Sequence, residues 1–87
     1  MEAARHPQFE KKLARLSPAI RRALANRLEL FLENPRHPLL NDHALTGDWA
    51  GFRSINVTGD WRLIYQRIDD EVMLLVEIDT HHNLYGA

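Results

Sequence analysis

No cysteine occurs among the 87 residues, which excludes disulfides, thiolate metal ligands and cysteine nucleophiles. No apolar run approaches the roughly 18 residues that a membrane-spanning helix needs. The opening MEAARHPQFEKK also lacks the apolar core of a signal peptide. These absences lead to the expectation of a cytoplasmic protein with no membrane contact. A charge excess of one sign is missing as well. The 11 Lys and Arg stand against 12 Asp and Glu, a formal net charge of -1, so nothing global marks a polyanion as partner. At this length a second independent core is excluded, and residues 1–87 are expected to form one domain.

What is present is a globular composition, 45% hydrophobic and 26% charged, and an uneven distribution of charge. From Met1 to Arg36 eight basic residues face four acidic ones, whereas from His37 onward three face eight. The basic half reads either as an ordinary solvated helix surface or as a patch turned toward a polyanion.

Periodicity divides the chain cleanly. Phe9, Leu13 and Leu16 recur at spacings of four and three, which predicts a helix over Pro7 to Leu16. Ser17-Pro18 then reads as an N-cap with proline at the first helical position. Ile20, Leu24, Leu28 and Phe31 continue a second helix to about Glu33, and Asn34-Pro35 ends it, the Asn being suited to left-handed backbone. A loop follows, with a short extended piece near His43 to Leu45. Phe52 to Val57, Trp61 to Ile68 and Val72 to Asp79 then show strand character and hairpin-length interruptions. The nearly continuous apolar run Val72 to Ile78 suggests a central strand covered on both faces, and His81 to Ala87 a short helical turn. Residues 2–6 could add an edge strand despite poor propensity. The expected fold is α+β: an N-terminal helical hairpin packed on a three- to four-stranded antiparallel sheet.

Three of the five histidines flank the sheet: His43 before its first firm strand, His81 and His82 after its last. The hairpin residue Asp60 and the strand residue Arg62 can join them. Imidazole titrates near neutrality, a carboxylate can orient it or replace it as a base, and a guanidinium can hold a phosphate bidentately. Such a set suits metal-free cleavage of RNA, in which a base takes the ribose 2′-OH proton and an acid protonates the leaving 5′ oxygen. Each member also has a structural reading: surface solvation for a histidine, turn formation for Asp60, cross-strand pairing for Arg62. The wide separations of His43, Asp60 and His81 disfavour a metal site, and no cofactor is expected. Of His81 and His82, neighbours pointing to opposite faces of an extended chain, His81 is preferred. Trp49, Phe52, Trp61 and Tyr65 follow the strand period and read as packing residues rather than base-stacking ones.

Four segments, HPQFEKKLARL, NDHALTGDWAGFRSINV, GDWRLIY and DTHHNLYG, together resemble bacterial type II toxins of the RelE superfamily, closest to its YafQ-like branch, over nearly the whole chain. The resemblance implies a ribosome-dependent mRNA endonuclease that inhibits translation. It also implies a cognate antitoxin whose C-terminal segment wraps the toxin and whose N-terminal domain binds operator DNA, so that DNA is met only through the antitoxin. By position, His43, Asp60, His81 and Tyr85 match the active-site positions of the branch. His81 or Asp60 would move protons, His43 would bind or deprotonate the ribose, Tyr85 would stack on a splayed base, and Arg62 would hold the scissile phosphate. Which group is base and which acid stays open. Lys11, Lys12 and Arg15, with Arg53 and Asn56, are the candidates for contacting RNA.

Three departures accompany the resemblance. Asn56 stands where the branch often has a histidine, and Asn can hydrogen-bond a phosphate but not shuttle a proton. The chain is slightly acidic where such toxins are basic. Its N-terminus is short for the family's first strand. Two alternatives follow: a catalytically silent antitoxin-binding module, and a gyrase-inhibiting relative that needs no acid-base groups.

Overall fold

The computed structural model describes residues 1–86; Ala87, the last residue of the expected C-terminal turn, lies outside them. Strand β1 (Glu2–Arg5) leads into helices α1 (Pro7–Arg15) and α2 (Pro18–Glu33). A loop with two short 3-10 turns, Pro38–Leu40 and Gly47–Trp49, carries the two-residue strand β2 (His43–Ala44). Strands β3 (Arg53–Asn56), β4 (Trp61–Arg67) and β5 (Val72–Thr80) follow, and helix α3 (His81–Tyr85) is the last element among the described residues.

The helix starts are chemical. Ser17 Oγ accepts from Ile20 N at 3.3 Å with Pro18 at the first helical position, and His6 Nδ1 accepts from Gln8 N at 3.1 Å ahead of Pro7. Asn34 ends α2 as expected but not in left-handed backbone: its φ is -149°, and Pro35 alone stops the helix. Left-handed geometry appears instead at Asn41, φ 45°, closing the turn that delivers β2.

The strands form one five-stranded sheet in the order β1-β5-β4-β3-β2. The sheet is therefore larger than the three to four strands expected, and it is mixed. β1 pairs with β5 in parallel, through main-chain bonds such as His6 N to Leu75 O at 2.9 Å. Those bonds do not depend on side-chain propensity, and the strand's four side chains are all exposed, which is why EAAR gives little strand signal. The other three pairings are antiparallel.

β5 is interior but not the middle strand, and it is not covered equally on both faces. Met73, Leu75 and Ile78 are buried in the core, while Leu74 and Val76 are half-buried. A register shift explains the spacing: Tyr65 pairs with Leu75 and Ile64 with Glu77, leaving Val76 as an extra residue. Strict alternation from Leu75 would send Glu77 into the apolar core. The bulge turns Glu77 and Asp79 to the other face and returns Ile78 to the core. That core joins Phe9, Leu16, Leu24 and Phe31 of the helical hairpin to Ile55, Leu63, Tyr65, Met73, Leu75 and Ile78 of the sheet.

Candidate active site

Register assigns the side chains to faces, because directly paired residues share one. On the face opposite the helical core one row runs His43, Ser54, Ile64, Glu77, and the next runs Asn56, Arg62, Asp79. Arg53 pairs with Tyr65 and so lies on the core side, separated by β3 itself from its fellow candidate Asn56.

At one end of this second face Trp61 pairs with Thr80, which sets Asp60 beside His81. The His81 amide donates to the Asp60 carbonyl at 2.8 Å. Thr80 caps α3, its Oγ1 accepting from Asn83 N at 3.2 Å, and the helical turn brings the Tyr85 ring edge-on to the His81 ring with centroids 4.8 Å apart. Because residues 81–85 are helical, His81 and His82 are related by a helical step and not by the opposite faces of an extended chain. His43 is exposed on the edge strand, its Nδ1 2.8 Å from Asn41 O. It lies two strands across from β4 and four strand positions, about 13 Å, along the sheet from the Asp60 end. The structure thus joins Asp60 to His81 through the main chain and His81 to Tyr85 through their rings, and leaves His43 farther along the same face.

Arg62 does not sit with its guanidinium open to this face. Its Nη1 donates to Thr58 O at 2.9 Å and Trp61 O at 3.0 Å, and its Nη2 to Gly59 O at 3.2 Å. The side chain thus closes the turn that carries Asp60. Tyr85 Oη, Ser54 Oγ and Asn56 Oδ1 are buried with no hydrogen-bond partner among the described residues. Buried polar atoms of this kind are unusual in a folded chain, and each of the three is able to take a hydrogen bond from water or a ligand.

Lys12, expected on RNA, is committed to the protein: it donates to Asp79 Oδ2 and lies 3.5 Å from Glu77 Oε1. The Asp79 hydrogen bond is the main cause of a raised Lys12 pKa. Burial opposes the charge on Asp79, but the hydrogen bonds from Lys12, Asn83 Nδ2 and Thr80 N outweigh it and hold the carboxyl below its ordinary value of 3.8. Asp79 therefore ties the first turn of α3, and with it His81, to the sheet and to α1. Glu77, 7% exposed, is satisfied by Gln8 Nε2 at 2.6 Å. Sequence reasoning missed Asp79 and Glu77; the signal was there, two acids closing an otherwise apolar strand. Lys11 and Arg15 remain exposed on α1. Trp49 and Phe52 pack edge-on at 5.7 Å, Trp61 packs against the core, and Tyr65 is fully buried against Phe31, so all four are packing residues.

A helical hairpin packed on a mixed five-stranded sheet is the fold of a class of small bacterial toxins. The chain belongs to the YafQ family, described as bacterial toxin of type II toxin-antitoxin system, whose model matches residues 1–86. The mRNA interferase toxin YafQ of Escherichia coli strain B / BL21-DE3 is 32% identical over 83 residues, covering 91% of this chain and 89% of that protein. The crystal structure of YafQ from the same strain superposes with a TM-score of 0.75 at 30% identity over 98% of each chain. YafQ in the Escherichia coli DinJ-YafQ complex gives a TM-score of 0.72, also at 30% identity and 98% of each chain. A YoeB/ParE toxin from Agrobacterium tumefaciens, 16% identical with a TM-score of 0.75 over 93% of this chain and 99% of its own, shares the fold.

Proposed function

We propose that this chain is the toxin of a type II toxin-antitoxin system that cleaves translated mRNA on the ribosome by general acid-base catalysis without a metal, acting in the cytoplasm where ribosomes are. The observation that carries the reading is the junction of Asp60 and His81 with the Tyr85 ring, on the sheet face that also carries Asn56 and His43. Similarity to mRNA interferase toxins supports it. In this reading the 2′-OH loses its proton to one group of the His81/Asp60 pair. The 2′ oxygen attacks phosphorus, and the 5′ oxygen departs with a proton from the other group, leaving a cyclic phosphate that water can open to a 3′ phosphate. Tyr85 offers a ring for stacking, Asn56 a hydrogen bond to phosphate or sugar, and Arg62 holds the turn of Asp60 rather than the phosphate. The antitoxin is a small protein resembling the partners in toxin complexes such as DinJ-YafQ, and operator DNA is reached only through it.

The test is primer extension on mRNA translated in a cell-free system, wild type beside His81→Ala. Site-specific cuts that vanish in the folded variant are expected, and a fully toxic His81→Ala protein would remove the site. Asn56, in place of a histidine, favours a second reading, a silent antitoxin-binding module. Absence of cuts from wild-type protein that still binds antitoxin would establish that reading.

A further inference from the structure

Positive charge also gathers on the other side of the edge strand. Two adjoining cavities, of about 720 and 470 Å³, share Asp42, Arg53 and Arg67. Arg36 and His37, from the loop after α2, line the larger one. Three arginines and a single aspartate thus line the cavities, and the aspartate's carboxylate is already engaged. Asp42 Oδ1 accepts from Arg53 Nε at 3.1 Å, and Asp42 Oδ2 from Tyr65 Oη at 2.8 Å. Arg36 and Arg67 enter no ion pair among the described residues. Nothing in the chemistry described above uses them.

Position gives the cluster meaning. Asp42 is followed by His43, and β2 is the two-residue edge of the sheet. Register puts His43 on the candidate-site face and Arg53 on the opposite one, so the arginine cavities begin where the chain rounds the edge from the candidate site. A net charge of -1 leaves no diffuse attraction for nucleic acid, so affinity for phosphates must come from local clusters.

We propose that the Arg36–Arg53–Arg67 cavities bind RNA backbone phosphates and hold the messenger strand as it passes round the β2 edge from His43. Guanidinium forks match phosphate oxygens bidentately, and Arg53 is pre-set by Asp42, so part of the ordering cost is met before RNA arrives. The inference rests on the proposed RNA-directed function and adds to it a binding surface on the face away from the chemistry.

The experiment uses full-length protein, wild type beside Arg36→Gln/Arg67→Gln, which leaves the Asp42–Arg53–Tyr65 group intact. Binding is measured to ribosomes programmed with mRNA 2′-O-methylated at the cleavage site, so that no turnover occurs, between about 50 and 200 mM salt. Loss of two phosphate contacts is expected to lower the slope of log affinity against log salt by about 1.4 and affinity at the lower salt by roughly ten-fold. Unmodified mRNA should be cut with a raised KM and little change in kcat. Unchanged affinity and slope in a variant with the wild-type circular dichroism spectrum overturn the proposal. So does normal ribosome binding combined with weakened binding of the antitoxin, which would hand the cavities to a protein partner. Wild-type protein that binds no ribosomes overturns it too. Wild-type protein that binds programmed ribosomes but cuts nothing overturns only the nuclease reading, and the slope difference still decides the cavities.

Discussion

Arg62 and Tyr65 show how far a residue's environment can redirect it. Arg62 looks like a phosphate ligand by type and position, but three turn carbonyls claim its guanidinium. Hydrogen bonds to a charged group contribute about 1.5–3 kcal/mol each net of their exchange with water when well buried, and Arg62 is only half-buried, so Arg62→Met should cost roughly 2 kcal/mol in urea unfolding. The same variant should lower kcat more than it raises KM, because it loosens Asp60 rather than a phosphate. Tyr65 reads as a strand aromatic. In the structure burial, with a smaller contribution from the hydrogen bond to Asp42, raises its pKa from 10.0 to about 12. The folded state thus holds the phenol proton more tightly than the unfolded chain does. Its contribution is complete below pH 10.0 and is lost as pH rises toward about 12. Thermal melts of Tyr65→Phe should show a shallower alkaline decline than wild type; identical declines would remove Tyr65 as the cause.

Elements behave as units, and α3 depends on its latch. At five residues it is too short to hold itself, so its placement comes from Thr80, from Asp79 and from Trp49 Nε1 donating to Leu84 O at 3.4 Å. The folded Asp79 carboxyl has a depressed pKa, so its stabilising effect is full above the ordinary value of 3.8 and is lost as pH falls below that value. Asp79→Asn should flatten that acid limb and speed amide exchange in residues 81–85, and mRNA cleavage should fall with it. Protection of α3 unchanged from wild type would show that Lys12 and Asn83 do not need the charge. For α2, Ser17→Ala removes the cap on Ile20 N and should cost about 1 kcal/mol in chemical denaturation.

Across the whole molecule the hairpin and the sheet share one core, so a core truncation should weaken both together. Phe31, 1% exposed and edge-on to Tyr65 at 5.5 Å, joins α2 to β4. Phe31→Ala should cost about 3–5 kcal/mol, and because Tyr65 also fixes Asp42 and Arg53, it should loosen the arginine cavities before global unfolding. Phosphorus NMR of a bound RNA oligonucleotide, with unfolding followed by circular dichroism, would separate the two effects. Charge is distributed by the same architecture. Lys12 lies inside an ion-paired network while Lys11 and Arg15 face solvent. A salt-dependent loss of ribosome binding is accordingly expected from Lys11→Glu/Arg15→Glu, whereas Lys12→Glu should lower the melting temperature as well.

The amino-acid order by itself determined both long helices, their N-terminal caps and the β3-β4-β5 meander, because each rests on periodicity and cap chemistry within a few residues. It also marked Asp60, His81 and Tyr85, by resemblance more than by composition. Only the tertiary structure decided the parallel β1, whose stability is main-chain pairing with residues about 70 positions away. The same holds for the bulge at Val76, which moves Glu77 and Asp79 out of the core by displacing register between strands, and for the fates of Lys12, Arg53 and Arg62. A charged side chain's role depends on which partner reaches it first. That is a matter of distance in the folded chain, and spacing along the sequence does not encode it.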